Sequence, residues 1–191
     1  MNKTILLALL PVLVCCTAQA RPGPRGVGIG PGVGMGDGYL SIDSSLIDFG
    51  NNLNGYGLGL GFGSKLGDNV GFIGEIAGFN INDHGYADSS RFTADGGGYQ
   101  VSIGPELYLT PNLSLFATAG FIHYSMDYAY ASGSDSGAFS DTTGVFGGGL
   151  RLSFGPNVSL KLAYKTFETD NLTISGDNDS SVVSLGIGFR F

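Results

Sequence analysis

His123 and Ser125 are the residues of this chain whose types and spacing most resemble a base and a nucleophile. Two positions apart in a segment of period 2, they share one face of a strand. A histidine there can take the proton of a serine hydroxyl as it attacks an ester. The imidazole needs a third group to orient it. Asp127 is on the same face but ~13 Å away along a strand, which leaves Asp141 of the next segment. A lone His-x-Ser pair reads first as interfacial polar surface, so a hydrolase is the alternative and a non-enzymatic protein the expectation. His84 has no evident partner. No cofactor is expected, and no metal: Asp177-Asn178-Asp179 lacks the length and glycine spacing of a calcium loop.

A larger set of charges shares a different face. Asp43, Glu75 and Glu106 project inward with Lys65, Arg151, Lys161, Lys165 and Arg190 once the alternating segments are closed into a barrel. A barrel of eight strands is only wide enough for its own side chains. These ions are therefore expected to pair with one another and hold the barrel in register rather than line an aqueous path, since buried charges persist only when paired. A narrow solute or ion channel is the alternative.

The elements that would position both sets are period-2 segments. Eight are expected, near residues 38–49, 56–66, 70–81, 98–109, 113–126, 142–154, 158–167 and 182–191. In the second, Tyr56, Leu58, Leu60 and Phe62 alternate with four glycines. In the last, Leu185, Ile187, Phe189 and Phe191 face lipid, and Ser184, Gly186, Gly188 and Arg190 face a small polar interior. The fifth blurs its faces at Ile122, Tyr124 and Met126, and glycines interrupt the third, so either would accommodate a bulge. Tight turns at Gly67-Asp68-Asn69, Thr110-Pro111-Asn112 and Gly155-Pro156-Asn157 alternate with longer polar loops near 50–55, 82–97, 127–141 and 168–181. Short turns belong at the periplasmic end and long loops outside.

The outer loops are acidic. Asp83, Asp88, Asp95, Asp127, Asp135, Asp141, Glu168, Asp170, Asp177 and Asp179 face Arg91 alone. This fringe suits solvation, bridging through divalent cations to lipopolysaccharide, or an extracellular or host partner. A formal charge of −7 excludes nucleic acid as a natural partner. Tyr56, Tyr99, Tyr124, Tyr128 and Tyr164 toward the outside, with Phe154, Phe189 and Phe191 at the other end, are expected to form interfacial belts in a chain without Trp.

Residues 1–20 read as a signal peptide: Lys3, an apolar run from Ile5 to Val14, and a small-residue exit at Ala18-Gln19-Ala20. Cleavage there removes Cys15 and Cys16, so no disulfide is expected. A lipoprotein acylated at Cys16 is disfavoured because Leu13-Val14-Cys15 lacks the usual small residue. Residues 21–37, rich in Gly and Pro, read as a flexible leader, and 38–191 as the barrel domain.

This layout resembles the small eight-stranded outer-membrane barrels of the OmpA/OmpX and opacity-protein type, all-β and antiparallel with up-and-down connections. The resemblance implies a Gram-negative outer-membrane location and a structural, adhesive or host-interaction role. It also implies recognition of the terminal aromatic strand by the barrel assembly machinery and contact with outer-membrane lipid. His123-Tyr124-Ser125 separately resembles the His-x-Ser pair of the outer-membrane lipid A deacylases, in which the His is base and the Ser nucleophile. The Asn-Ala-Gly segment of that family is replaced here by Met126-Asp127-Tyr128.

Overall fold

The computed structural model describes residues 38–50, 53–87, 90–131, 136–169 and 179–190. The expected signal peptide, the leader and Phe191 lie outside them. The strands are β1 (Gly38–Asp48), β2 (Asn54–Lys65), β3 (Val70–Ala87), β4 (Ser90–Thr110), β5 (Leu113–Tyr130), β6 (Ser136–Phe154), β7 (Val158–Glu168) and β8 (Asp179–Arg190). Each pairs antiparallel with its sequence neighbour, and β1 closes on β8 to complete the barrel.

Alternation dictates which way each side chain points. Outward positions such as Leu58, Leu60, Ile103, Phe146 and Leu162 are exposed, the inverse of a soluble sandwich, and inward positions are buried. The strands meet at their short ends through built turns. Thr110 Oγ1 accepts from the backbone N–H groups of Asn112 and Leu113 at 3.2 and 3.0 Å. Gly155 takes a φ of 73°, in the left-handed region that a residue with a Cβ disfavours.

Three expectations need correcting. The stretches near 82–97 and 127–141 are mostly not loops: the β3/β4 ladder continues to Ala87↔Ser90 and the β5/β6 ladder to Ala129↔Ser136. Their many Gly, Asp and Ser residues signal loop by composition. Cross-strand pairing nevertheless satisfies the backbone above the membrane, where polar side chains on either face cost nothing. Spanning takes ~9–11 residues, so the 18, 21, 18 and 19 residues of β3 to β6 overshoot. Strands β1, β2, β7 and β8, at 11 or 12 residues, do not. The outer end is thus a four-stranded wall on one side of the mouth.

The second correction concerns irregularity. The described shift in register falls between Tyr108 and Thr110 in the β4/β5 ladder, at the tight turn, rather than within β3 or β5. The β4/β5 ladder also lacks a pair at Pro105, which has no N–H to give. The third concerns the interior, which is not uniformly small and polar. Its outer half is apolar, with Ile47, Phe49, Phe79, Ile81, Ile122, Tyr124, Val145, Phe167 and Val182 all buried in one cluster. Tyr124 therefore leaves the expected outer belt for the core, and Tyr128 packs partly buried against the same cluster.

Candidate functional site

The inward charges divide into two groups at different depths. The first is a quartet. Lys161 Nζ donates to Asp43 Oδ2 at 2.6 Å and to Glu75 Oε1 at 2.5 Å. Lys165 pairs with the other oxygen of Glu75, and Ser102 bridges the same two residues, donating to Glu75 Oε2 at 3.1 Å and accepting from Lys165 Nζ at 3.1 Å. Two acids and two bases from β1, β3 and β7 thus neutralise one another across the bore. Ser41 Oγ donates to Asp43 Oδ2 at 3.3 Å, and Ser45 and Ser184 meet at 3.0 Å.

Glycines make this packing fit. The whole inward face of β2 from Gly55 to Gly63 is glycine. A Cβ at Gly61 would sit 2.3 Å from Ser41 Oγ and 3.0 Å from Lys161 Nζ, and one at Gly186 would sit 1.8 Å from Asp43 Oδ1. The quartet fills the volume those side chains would have used.

The second group lies nearer the short turns. Arg151 donates through Nε to Glu106 Oε1 at 2.9 Å and through Nη2 to Tyr108 OH at 3.0 Å. The Tyr108 hydroxyl donates in turn to Glu106 Oε2 at 3.1 Å, and Ser114 Oγ also donates to Glu106. The guanidinium stacks on Tyr39, its Cζ 3.8 Å from the ring centroid, a cation–π contact on a desolvated face. Inward parity placed Glu106 and Arg151. Tyr39, Tyr108 and Ser114 occupy the same parity, but none carries a charge to mark it in sequence and an alternating Tyr is as readily read as belt.

Two of the eight expected ions stand apart. Among the described ion pairs neither Lys65 nor Arg190 takes part. Lys65 Nζ lies 4.9 Å from the Tyr108 ring centroid, and Arg190 Nη2 donates to Ser153 Oγ at 3.4 Å. Both sit at the periplasmic rim, where water can replace a carboxylate partner.

His123 and Ser125 face outward on β5, as expected. The imidazole Nδ1 meets Thr142 Oγ1 at 2.8 Å, and the ring packs on Tyr99 with centroids 5.2 Å apart. The strand register explains why Thr142 holds that place: His123 is opposite Thr142 and Tyr124 opposite Asp141. Asp141 therefore belongs to the inward face and accepts from the Thr142 N–H at 2.7 Å, which removes it as the orienting carboxylate. At the same end Asp95 and Asp127 stand directly opposite one another on the outer face of the wall, with Asn82 Nδ2 donating to Asp95 at 3.2 Å. Asp83 accepts from both the backbone and side-chain N–H groups of Asn54 at 3.1 Å. Asp88, Asp135, Asp170 and Asp177 lie outside the described residues. Of the assembly strand, Leu185 and Phe189 are exposed outward and Ile187 is half-buried on the same face.

Comparisons with known proteins agree with this architecture. No curated protein matches the sequence. Among solved structures the fold is similar to Ail, the attachment invasion locus protein of Yersinia pestis. The identity is 22%, 82% of this chain and 99% of that chain are covered, and the TM-score is 0.64. The same protein in complex with the heparin analogue sucrose octasulfate gives 24% identity, the same coverage and a TM-score of 0.63. The N-terminal β-barrel domain of Pseudomonas aeruginosa OprF gives 18% identity, coverage of 80% and 97%, and a TM-score of 0.53. The family described as outer membrane protein beta-barrel domain matches residues 6–191. With eight strands closed in sequence order, apolar side chains outward and ions paired within, the chain belongs to that family and is a barrel of the bacterial outer membrane.

Proposed function

We propose that this protein is a non-conducting surface barrel that presents its outer wall to partners outside the cell. The observation that carries the reading is the filled bore: a neutral ionic layer lies beneath an apolar one, while β3 to β6 continue outward as paired strands. By a projected rise of ~2.5 Å per residue for tilted strands, the wall stands roughly 20 Å above the interface.

The partner's chemistry follows from charge. Ail is seen with a sulfated polyanion, but here Asp95 and Asp127 oppose each other on the wall with Arg91 as the basic residue of the expected loops. Like charges directly opposite are unfavourable, and a polyanion would add to the repulsion. A basic protein surface, or lipopolysaccharide bridged by divalent cations, fits better. The test compares adherence of bacteria with and without the gene to host-cell monolayers and to immobilised heparin. The expected result is gene-dependent adherence to cells but not to heparin, reduced several-fold by Asp95→Asn with Asp127→Asn. Equal adherence with and without the gene would overturn the adhesive role.

The hydrolase reading is not supported by the site: His123 is held by a hydroxyl, and Asp141 lies on the opposite face. Mass spectrometry of lipid A from the same two strains is expected to give identical acylation. Loss of one acyl chain that depends on Ser125 would reinstate it.

A further inference from the structure

Phe49 occupies an unusual place for a residue beside an extracellular turn. It follows the last residue of β1, yet it is 2% exposed, and Leu53 across the turn is 1% exposed. The turn is closed on itself: Phe49 N–H donates to Leu53 O and Leu53 N–H to Gly50 O, both at 2.9 Å, with Gly50 at a φ of 77°. This aims the Phe49 ring into the bore. There it meets Phe79 at 6.0 Å, Tyr124 at 5.5 Å and Phe167 at 5.6 Å between ring centroids. Those three rings come from β3, β5 and β7, and β5 is the strand opposite β1 in the ring of eight. One side chain therefore touches three separate sectors of the wall.

We infer that Phe49 is a cork, and that the seal of this barrel is the aromatic layer it closes rather than the salt bridges beneath. The two layers differ in what they can exclude. The inner one holds polar atoms buried without a hydrogen-bond partner in the protein, among them Asp43 Oδ1 and Thr118 Oγ1. Groups of that kind draw water when a path exists. The outer layer is apolar apart from the Tyr124 hydroxyl: Ile47, Ile81, Ile122 and Val182 surround the rings, and apolar constrictions exclude ions by dewetting. Gly55 lets the cork seat, since a Cβ there would approach Phe49 Cε2 to 3.3 Å. The ionic layer holds the staves together; the cork keeps the outside out.

The two layers can be separated by thiol accessibility. The chain's cysteines, Cys15 and Cys16, both fall in the expected signal peptide, so an introduced thiol is a clean probe in the exported chain from which that segment has been cleaved. Val182→Cys reports just beneath the cork, and Ser159→Cys reports the periplasmic half, where Ser159 is 5% exposed. Silver ion is added to the barrel in nanodiscs, and the thiols left unreacted are alkylated after unfolding. Phe49→Ala is expected to speed reaction at Val182→Cys at least tenfold and to leave Ser159→Cys unchanged, while Arg151→Ala leaves Val182→Cys unchanged. Should Phe49→Ala fail to assemble, Phe167→Ala opens the same contact from the other side. Equal acceleration at both probes, or none at Val182→Cys, overturns the cork; so does acceleration there by Arg151→Ala.

Discussion

Removing the Arg151 side chain would leave Glu106 buried among Tyr108 and Ser114 with no counter-charge. Breaking one side of a buried pair costs about 3–5 kcal/mol, so Arg151→Ala is expected to lower barrel stability by that order in urea unfolding from lipid vesicles. Lys65→Ala, which loses one cation–π contact at the rim, should cost under ~1 kcal/mol. Comparable losses for the two would mean that Lys65 has an ionic role. Space is tested the same way. Gly186→Ala drives a Cβ against Asp43 Oδ1, which Lys161 pins through the other carboxylate oxygen. Gly67→Ala meets nothing within 4 Å. The first is expected to impair assembly, read as loss of the heat-modifiable band on a gel, and the second to leave it intact. At this scale the sequence was legible for which charges point inward, because parity alone decides it. It was silent on who meets whom: the stagger between non-adjacent strands brings Lys161 to Asp43 and Glu75, and no one-dimensional period encodes it.

The hairpins show the same division at the scale of elements. Strand cores and turns were readable because lipid demands an apolar residue at every second outward position, and tight turns demand Gly, Pro and Asn. Beyond the lipid that demand ceases. Segments such as Ser90–Gly97 and Asp127–Tyr130 keep their ladders with polar or small residues on the outer face, so their composition imitates a loop. Only the ladder itself distinguishes them, and hydrogen exchange reads it. Amides of Thr93, Gly97, Asp127 and Ala129 are expected to be protected by orders of magnitude over an unstructured loop, though less than those of Ser102 or Leu115 within the membrane. Exchange of all four at loop rates would restore the composition-based reading and take the wall away from the proposed display role.

For the whole molecule, closure and permeability are separate properties. An even number of strands pairing in order removes every edge within the membrane. The Ser and Gly residues of the inward faces suggested a polar lumen, and they do line its inner half. The outer half is apolar because Ile47, Phe79, Ile122 and Phe167 sit at inward parity where the strands approach the mouth. In sequence Ile122, with Tyr124 and Met126, reads as blurred alternation, since an apolar residue on both faces carries no sign of which face meets lipid. A bore closed by both layers should not conduct. Planar-bilayer recordings of the purified barrel are expected to be silent or to show rare, small openings. Arg151→Ala should raise instability without steady current, because the rings around Phe49 remain in place. Large, stable, ohmic steps from the wild-type barrel would make the lumen a pore and its charges a selectivity device. Steady current that appeared only with Arg151→Ala would instead make the Glu106 pair the barrier and demote the aromatic layer to packing.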